Sequence, residues 1–94
     1  MESIMHRFER KEYRRCWFCK SSQNLELHHC LHGTANRKLA DEDGLTVWLC
    51  HDCHQALHDH GDGDEELKRE AMYAWMFEYN KTKKDFLKRY GKMY

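Results

Sequence analysis

Four of the five cysteines stand in two Cys-x-x-Cys pairs, one on each side of a double histidine. Two residues between paired cysteines let both sulfurs face one ion, and two such pairs supply the four thiolates of a closed tetrahedral zinc shell. The alternative is that some of these cysteines are buried or form a redox pair, and the doubled spacing favours the metal. The predicted ligands of this structural zinc are Cys16, Cys19, Cys50 and Cys53.

Histidines near the second cysteine pair indicate a further metal site. His28 and His29 are neighbours on a predicted strand, so their side chains point to opposite faces and cannot easily share one role. His54 and His58 are four residues apart on a predicted helix, so both project from one face. The hypothesis is that His28, His54 and His58 bind a divalent ion, while His29 is free to take a proton from water.

Each of these histidines, taken alone, also fits a structural or surface role. His54 could be a substitute zinc ligand or a residue of the helix surface, and His58 could simply face solvent. The combination of the double histidine, Cys-x-x-Cys-His and a second histidine four residues on favours a working site. No spacing argument supports the remaining histidines, which are His6, His32, His51 and His60.

Alternating and β-forming residues predict the elements that must position these ligands. Residues 25–28 alternate apolar and polar as a strand does, and residues 46–49 are rich in β-formers. The polar stretch from Gly33 to Gly44 is interpreted as a loop between them. Residues 51–60 have the composition of a helix, which would carry the second cysteine pair and the two spaced histidines.

Helical patterns dominate the rest of the chain. Residues 65–80 follow Asp64, a good helix start, and carry a mostly apolar stripe that predicts a packing helix. Trp75 lies in this stripe, which indicates a core or partner-facing role for it. A last helix over residues 83–90 would begin near Thr82 and stop at Gly91. Residues 4–14 are expected to form a short, charged helix.

Length and composition describe a small α+β protein. The chain of 94 residues fits one domain, with a core over about 16–60 and a helical extension over about 64–94. Paired cysteines without a leading apolar segment favour reduced thiols and a cytoplasmic compartment. No apolar run approaches the roughly 18 residues that a membrane span requires. The expected protein is soluble.

Charge is balanced overall but unevenly distributed. Lys plus Arg number 16, as do Asp plus Glu, so net charge alone does not indicate a polyanion binder. Residues 1–20 carry six basic and three acidic side chains, residues 21–66 carry two and ten, and residues 67–94 carry eight and three. A metal site in the acidic centre with basic arms suits a phosphate substrate, although solvated helix faces would look the same.

At these residues the sequence resembles the HNH nucleases, whose ββα-metal fold places two strands and a helix around one divalent ion. The matching segments are Leu25-Glu26-Leu27-His28-His29 and the stretch from Val47 to His54, over a core of about residues 16–58. Many members carry a four-cysteine zinc site around that core. The resemblance implies an α+β, zinc-stapled, treble-clef-like core with additional C-terminal helices. The stretch from Gly33 to Lys38 and the ending from Phe86 to Lys92 resemble phage-encoded, recombination-associated HNH-like proteins.

What the resemblance implies for function is hydrolysis of DNA phosphodiester bonds. His29 matches the general base, and His28, His54 and His58 match the ligands of the catalytic ion, which could be Mg²⁺, Mn²⁺, Ni²⁺ or Zn²⁺. The expected partners are DNA and a recombination or phage protein, in bacterial or phage-infected host cytoplasm. The oligomeric state stays open.

The chain departs from the family pattern before the second strand, where Asp43-Gly44-Leu45 replaces the asparagine that orients the base. Asn36, Asp41 and Asp43 are the candidates for that role, because each side chain can accept a hydrogen bond from an imidazole. Arg37 is the candidate phosphate contact, since a guanidinium grips phosphate through two N–H groups. The alternative function is a zinc-stapled module that binds nucleic acid or a protein partner without turnover.

Overall fold

The computed structural model describes residues 4–5 and 14–94, and it shows a small mixed α and β fold. Within these residues there are a two-stranded sheet and four helices. One helix connects the two strands, and three helices follow the second strand. The expected helix over residues 4–14 falls mostly outside the described part of the chain. The elements in chain order are β1 (Leu25–His29), α1 (Thr34–Asp43), β2 (Thr46–Cys50), α2 (His51–His60), α3 (Asp64–Tyr79) and α4 (Lys83–Tyr90).

The predicted strands and the last three helices are confirmed to within a residue or two at their ends. β1 and β2 pair antiparallel, with His28 opposite Val47 and His29 opposite Thr46. His28 is buried on one face of the hairpin, and His29 is only partly buried. The pleat of the strand turns these neighbouring side chains in different directions, although both line the cleft described below.

The prediction of a loop between the strands is wrong, because Thr34–Asp43 forms helix α1. Its polar composition suggested a loop, and the helical signal was weak. The two glycines that suggested loop ends instead flank the helix, and Gly44 closes it in the left-handed conformation at φ 76°. Ala40 of α1 is fully buried, so a narrow stripe of small and apolar side chains is enough to hold this helix against the core.

The apolar core lies between the hairpin and the C-terminal helices. Trp75 of α3 is 5% exposed and packs edge-on against Phe86, as its place in the apolar stripe predicted. Phe77 of the same helix is 83% exposed and stays outside the core. The largest fully buried side chains are Leu31, Leu45, Val47, Leu49, Leu67, Met72 and Phe86. None of the helices in residues 4–5 and 14–94 has the length and apolar character that crossing a membrane requires.

Asp43, at the end of α1, binds two residues of α4. The Arg89 guanidinium donates to both carboxylate oxygens, with Nε at 2.6 Å and Nη2 at 2.8 Å. The Tyr90 hydroxyl donates to the same carboxylate. Burial, followed by this hydrogen bond, raises the pKa of Tyr90, so its hydroxyl keeps the proton that it donates. Asn36 adds a further tie, because its Nδ2 donates to the Tyr90 carbonyl at 3.2 Å. Helix α4 thereby fixes the position of α1.

Replacing Tyr90 with phenylalanine should lower the free energy of unfolding by about 1–3 kcal/mol, because the buried Asp43 carboxylate loses a donor while the ring packing is kept. Urea denaturation measures this change. Tyr73→Phe is the matched control, since Tyr73 is 45% exposed, and it should change the stability by less than about 0.5 kcal/mol. Equal stabilities of the Tyr90 variant and the wild type would show that α4 does not depend on this contact.

Candidate metal centres

The four predicted zinc ligands lie together at one end of the hairpin. Each of the four sulfurs of Cys16, Cys19, Cys50 and Cys53 is within 4.8 Å of the other three. The Cys19 and Cys50 sulfurs are 3.6 Å apart. Tetrahedral zinc with Zn–S bonds of about 2.3 Å separates its sulfurs by about 3.8 Å, so the cluster has the dimensions of a zinc shell. Four cysteines at this spacing can bind a structural metal such as zinc.

Each cysteine pair is positioned by backbone structure. The first pair lies on a turn in which the Lys20 amide donates to the Cys16 carbonyl at 3.1 Å. The second pair lies where β2 meets α2: Cys50 is the N-cap of α2, and its sulfur accepts from the Cys53 amide at 3.4 Å. The positive end of a helix favours thiolate, so this junction suits metal ligands.

The Cys16 and Cys53 thiols of the cluster differ in how readily they ionise. Burial disfavours the Cys16 thiolate, but the backbone amides of Cys19, Cys50 and Phe18 outweigh it and lower the Cys16 pKa to about 6. Burial, with the neighbouring thiols, raises the pKa of Cys53. The Cys16 thiolate is therefore favoured and the Cys53 thiolate disfavoured, and a divalent cation would stabilise the Cys53 thiolate as well.

The fifth cysteine has a different environment. Cys30 is fully buried, and its thiol donates to the Met5 sulfur at 3.5 Å. Burial raises its pKa, so the thiol stays protonated. Cys30 is a core residue, in agreement with its lack of a pairing partner in the sequence.

The predicted catalytic ligands also converge. His28 Nδ1 lies 3.3 Å from His54 Nε2, which lies 3.0 Å from His58 Nε2. Nitrogens that share a tetrahedral ion at Zn–N distances of about 2.0–2.1 Å are about 3.3 Å apart, so these separations fit a shared ion. The strand supplies one ligand, and one face of α2 supplies the other two. We call these residues the three-histidine group, and they line a cleft of about 480 Å³.

His28 is the most buried member of the group, at 2% exposed. Burial, followed by the neighbouring imidazoles of His54, His32 and His58, lowers its pKa to about 3. A neutral imidazole has a lone pair for a metal, which a protonated one lacks. Among the residues that the structure describes, no donor or acceptor reaches the buried His28 Nε2. A buried polar atom without a partner is uncommon in folded proteins and is consistent with a missing ligand.

A carboxylate that the sequence did not single out orients this group. Glu26 accepts from Nδ1 of His54 at 2.8 Å and contacts Nδ1 of His51 at 3.1 Å. The hydrogen bond to His54, followed by the one to His51, lowers the Glu26 pKa. With its Nδ1 proton committed to Glu26, His54 presents the Nε2 lone pair to the cleft. The alternation of β1 could have revealed this residue, because Glu26 and His28 are two apart and share a face of the strand.

The proposed base is fixed by Asp41 of α1. His29 Nε2 lies 3.3 Å from Asp41 Oδ1. Of the three candidates for orienting the base, Asn36 instead donates to the Tyr90 carbonyl, and Asp43 is bound by α4. The Asn36 side chain thus makes its hydrogen bond to α4, and Asp41 is the candidate that contacts His29. Arg37, one residue further along α1, lines the cleft with His28, His29, His54 and His58.

Two further residues with metal-binding side chains lie beside this cleft. His32, in the turn after β1, is one of its lining residues. Its Nε2 is 2.6 Å from Oδ1 of Asp64, the first residue of α3. The two residues are 32 positions apart, so no local spacing in the sequence indicated that they meet.

Comparison of the chain with known proteins found no match among protein-family models, curated proteins or solved structures.

Removing the structural metal should unfold the domain, because the binding free energy of such a site is part of the folding free energy. A strong chelator is expected to abolish most of the helical circular dichroism, and zinc should restore it. The variant Cys16→Ser should lose the tightly bound zinc, whereas Cys30→Ala should retain one zinc per chain by atomic emission. Full helical signal in the chelated, zinc-free protein would contradict this prediction.

Glu26→Gln should weaken binding of an exchangeable divalent ion by about 10- to 100-fold, because the tautomer of His54 is no longer fixed by a charged acceptor. Titration with Co²⁺ of protein that retains its thiolate-bound zinc measures this affinity. Glu66→Gln, a change at an exposed residue of α3, is the control and should bind as the wild type does. Equal affinities of the two variants would show that Glu26 does not orient a ligand.

Proposed function

We propose that this chain is a metal-dependent DNA endonuclease of the HNH type, with a zinc-stapled ββα-metal core. The proposal rests on one observation: the three-histidine group, His29 and Arg37 border the same cleft, and Asp41 contacts the His29 ring. A binding module held together by zinc has no need for a second ligand group next to an oriented base. The hairpin followed by α2 has the element order that a ββα-metal core requires.

His29 would act as the general base. Its Nε2 proton is directed to Asp41, which leaves the Nδ1 lone pair to accept a proton from water. The resulting hydroxide oxygen attacks the phosphorus, and the bond from phosphorus to the 3′ oxygen breaks. The products are a 5′ phosphate and a 3′ hydroxyl, whose proton comes from solvent. Asp41 holds the ring and stabilises the imidazolium that forms.

The remaining cleft residues would bind the metal and the phosphate. A divalent ion on His28, His54 and His58 would supply Lewis-acid stabilisation of the negative charge on the phosphate and on the leaving oxygen. Imidazole ligands suit Zn²⁺ and Ni²⁺, and Mn²⁺ and Mg²⁺ are further candidates. Arg37 is exposed on α1 and can contact a phosphate oxygen while His29 remains free to deprotonate water.

The proposal includes DNA as the partner, met through the basic side chains outside the acidic centre of the sequence. The C-terminal part and the centre of the sequence differ strongly in charge. Residues 67–94 carry eight basic and three acidic side chains, whereas residues 21–66 carry two basic and ten acidic side chains. We extend the proposal to the setting that the resemblance implies. That setting is bacterial or phage-infected host cytoplasm, with a recombination or phage protein as a second partner.

Purified protein should nick supercoiled plasmid when Mg²⁺, Mn²⁺ or Ni²⁺ is added. His29→Ala should lower the nicking rate by about 10²- to 10⁴-fold, which is the usual contribution of a general base. His54→Ala should raise the metal concentration needed for nicking. His60→Ala is the control, because His60 is exposed at the end of α2 and outside the cleft, and it should cut at the wild-type rate.

A paired comparison on α1 separates phosphate contact from general charge. Arg37→Ala should slow nicking more than Lys38→Ala, although each removes one positive charge from an exposed position. The endonuclease proposal fails if the wild type leaves the plasmid intact with every metal, or if wild type and His29→Ala cut equally. Retained DNA binding without cutting would instead identify the zinc-stapled binding module.

A further inference from the structure

His32 and Asp64 have no part in the proposed reaction, yet they complete a second cluster of metal-binding atoms. His28, His32 and Asp64 each bring one ligand atom to within 4.8 Å of the other two. The three residues come from β1, from the turn that follows it and from the first turn of α3. The three-histidine group draws its other ligands from α2 instead. The two clusters therefore share only His28.

His28 has a ring nitrogen to spare for the second cluster. Its Nδ1 faces His54 at 3.3 Å, whereas its buried Nε2 meets no partner in the described part of the chain. The His28 and His32 rings pack edge to face, with centroids 5.4 Å apart. An imidazole has two nitrogens, and either can bind a metal. An unpartnered nitrogen on a side chain that is 2% exposed is thus an independent indication of a ligand in this region.

We infer that His28, His32 and Asp64 form a second site for a divalent cation of the zinc type. Two imidazoles and one carboxylate are a donor set that catalytic zinc sites use, with a position left for water or another ligand. The inference shares His28 with the proposed nuclease site, but it does not require that the chain cut DNA. A cation bound here would join the start of α3 directly to the hairpin.

The competing explanation is an ordinary hydrogen bond between His32 and Asp64 at the start of a helix. Lys68 also contacts Asp64, with Nζ 2.9 Å from Oδ2, so the carboxylate has a positive neighbour without any metal. An ordinary hydrogen bond would survive when the carboxylate becomes an amide, because the amide oxygen still accepts from His32. A cation site would be weakened by the same change, because the charged ligand is lost.

The double variant His54→Ala/His58→Ala isolates the second site, because it removes the ligands from α2 and leaves His28, His32 and Asp64. The full chain, with zinc retained on its cysteines, is titrated with Co²⁺ and followed by visible absorption. The double variant is expected to bind one exchangeable Co²⁺ per chain. Adding Asp64→Asn or His32→Ala should weaken that binding by about tenfold or more. Adding Asp62→Asn, at a nearby exposed residue, should leave it unchanged.

Two outcomes would overturn the inference: no exchangeable Co²⁺ in the double variant, or equal affinity with and without Asp64→Asn. Circular dichroism and one retained zinc per chain establish that each variant is folded. If the double variant does not fold, the single variant His58→Ala, changed at an exposed position, provides the background for the same comparison. Plasmid nicking is measured separately. If the wild type cuts DNA but the second site is absent, the inference of a second site is wrong. If the second site binds Co²⁺ but the wild type does not cut DNA, the endonuclease proposal is wrong.

Discussion

The cluster of four cysteine sulfurs is the constraint on which the rest of the structure depends. It joins the turn at residues 16–20 to the junction of β2 and α2, two segments that lie about thirty positions apart in the sequence. A chain of 94 residues buries a limited core, and a metal bound by the four cysteines would add its binding free energy to the stability of the fold. The hairpin between the two cysteine pairs is held closed at the same end. His54 and His58 follow on the helix that begins at that end.

The C-terminal part of the chain also holds helix α1 in position. Helix α1 carries Arg37, which lines the cleft, and Asp41, which contacts His29, and the end of the helix is held through Asp43. Arg89 and Tyr90 bind Asp43 from α4, so the distant end of the chain determines where the partner of His29 lies. An extension whose sequence predicts only a packing role therefore affects the surroundings of His29.

Local patterns in the sequence predicted the strands, the last three helices and the residues of both main ligand groups. Cys-x-x-Cys spacing and the four-residue interval from His54 to His58 are local properties, so they can be found without a structure. Helix α1 was missed because its apolar stripe is narrow and two glycines at its ends resemble loop boundaries. Asp64 was missed for a different reason, since it meets His32 only after the chain has folded. The sequence likewise could not decide between Asp41 and Asn36 as the partner of His29, because that contact also forms only in the folded chain.

Cys50 is the N-cap of α2, and this position affects the histidines further along the helix. Successive residues of an α-helix are rotated by about 100° around its axis, so a helix whose first turn is fixed has a fixed angular phase. A metal bound by the cysteines would thus set the direction in which His54 and His58 point, four and eight residues after Cys50. One residue inserted between Cys53 and His54 would turn both imidazoles by about 100° away from His28 without altering any ligand. The number of residues between the cysteine cluster and the two histidines therefore matters as much as the identity of these side chains.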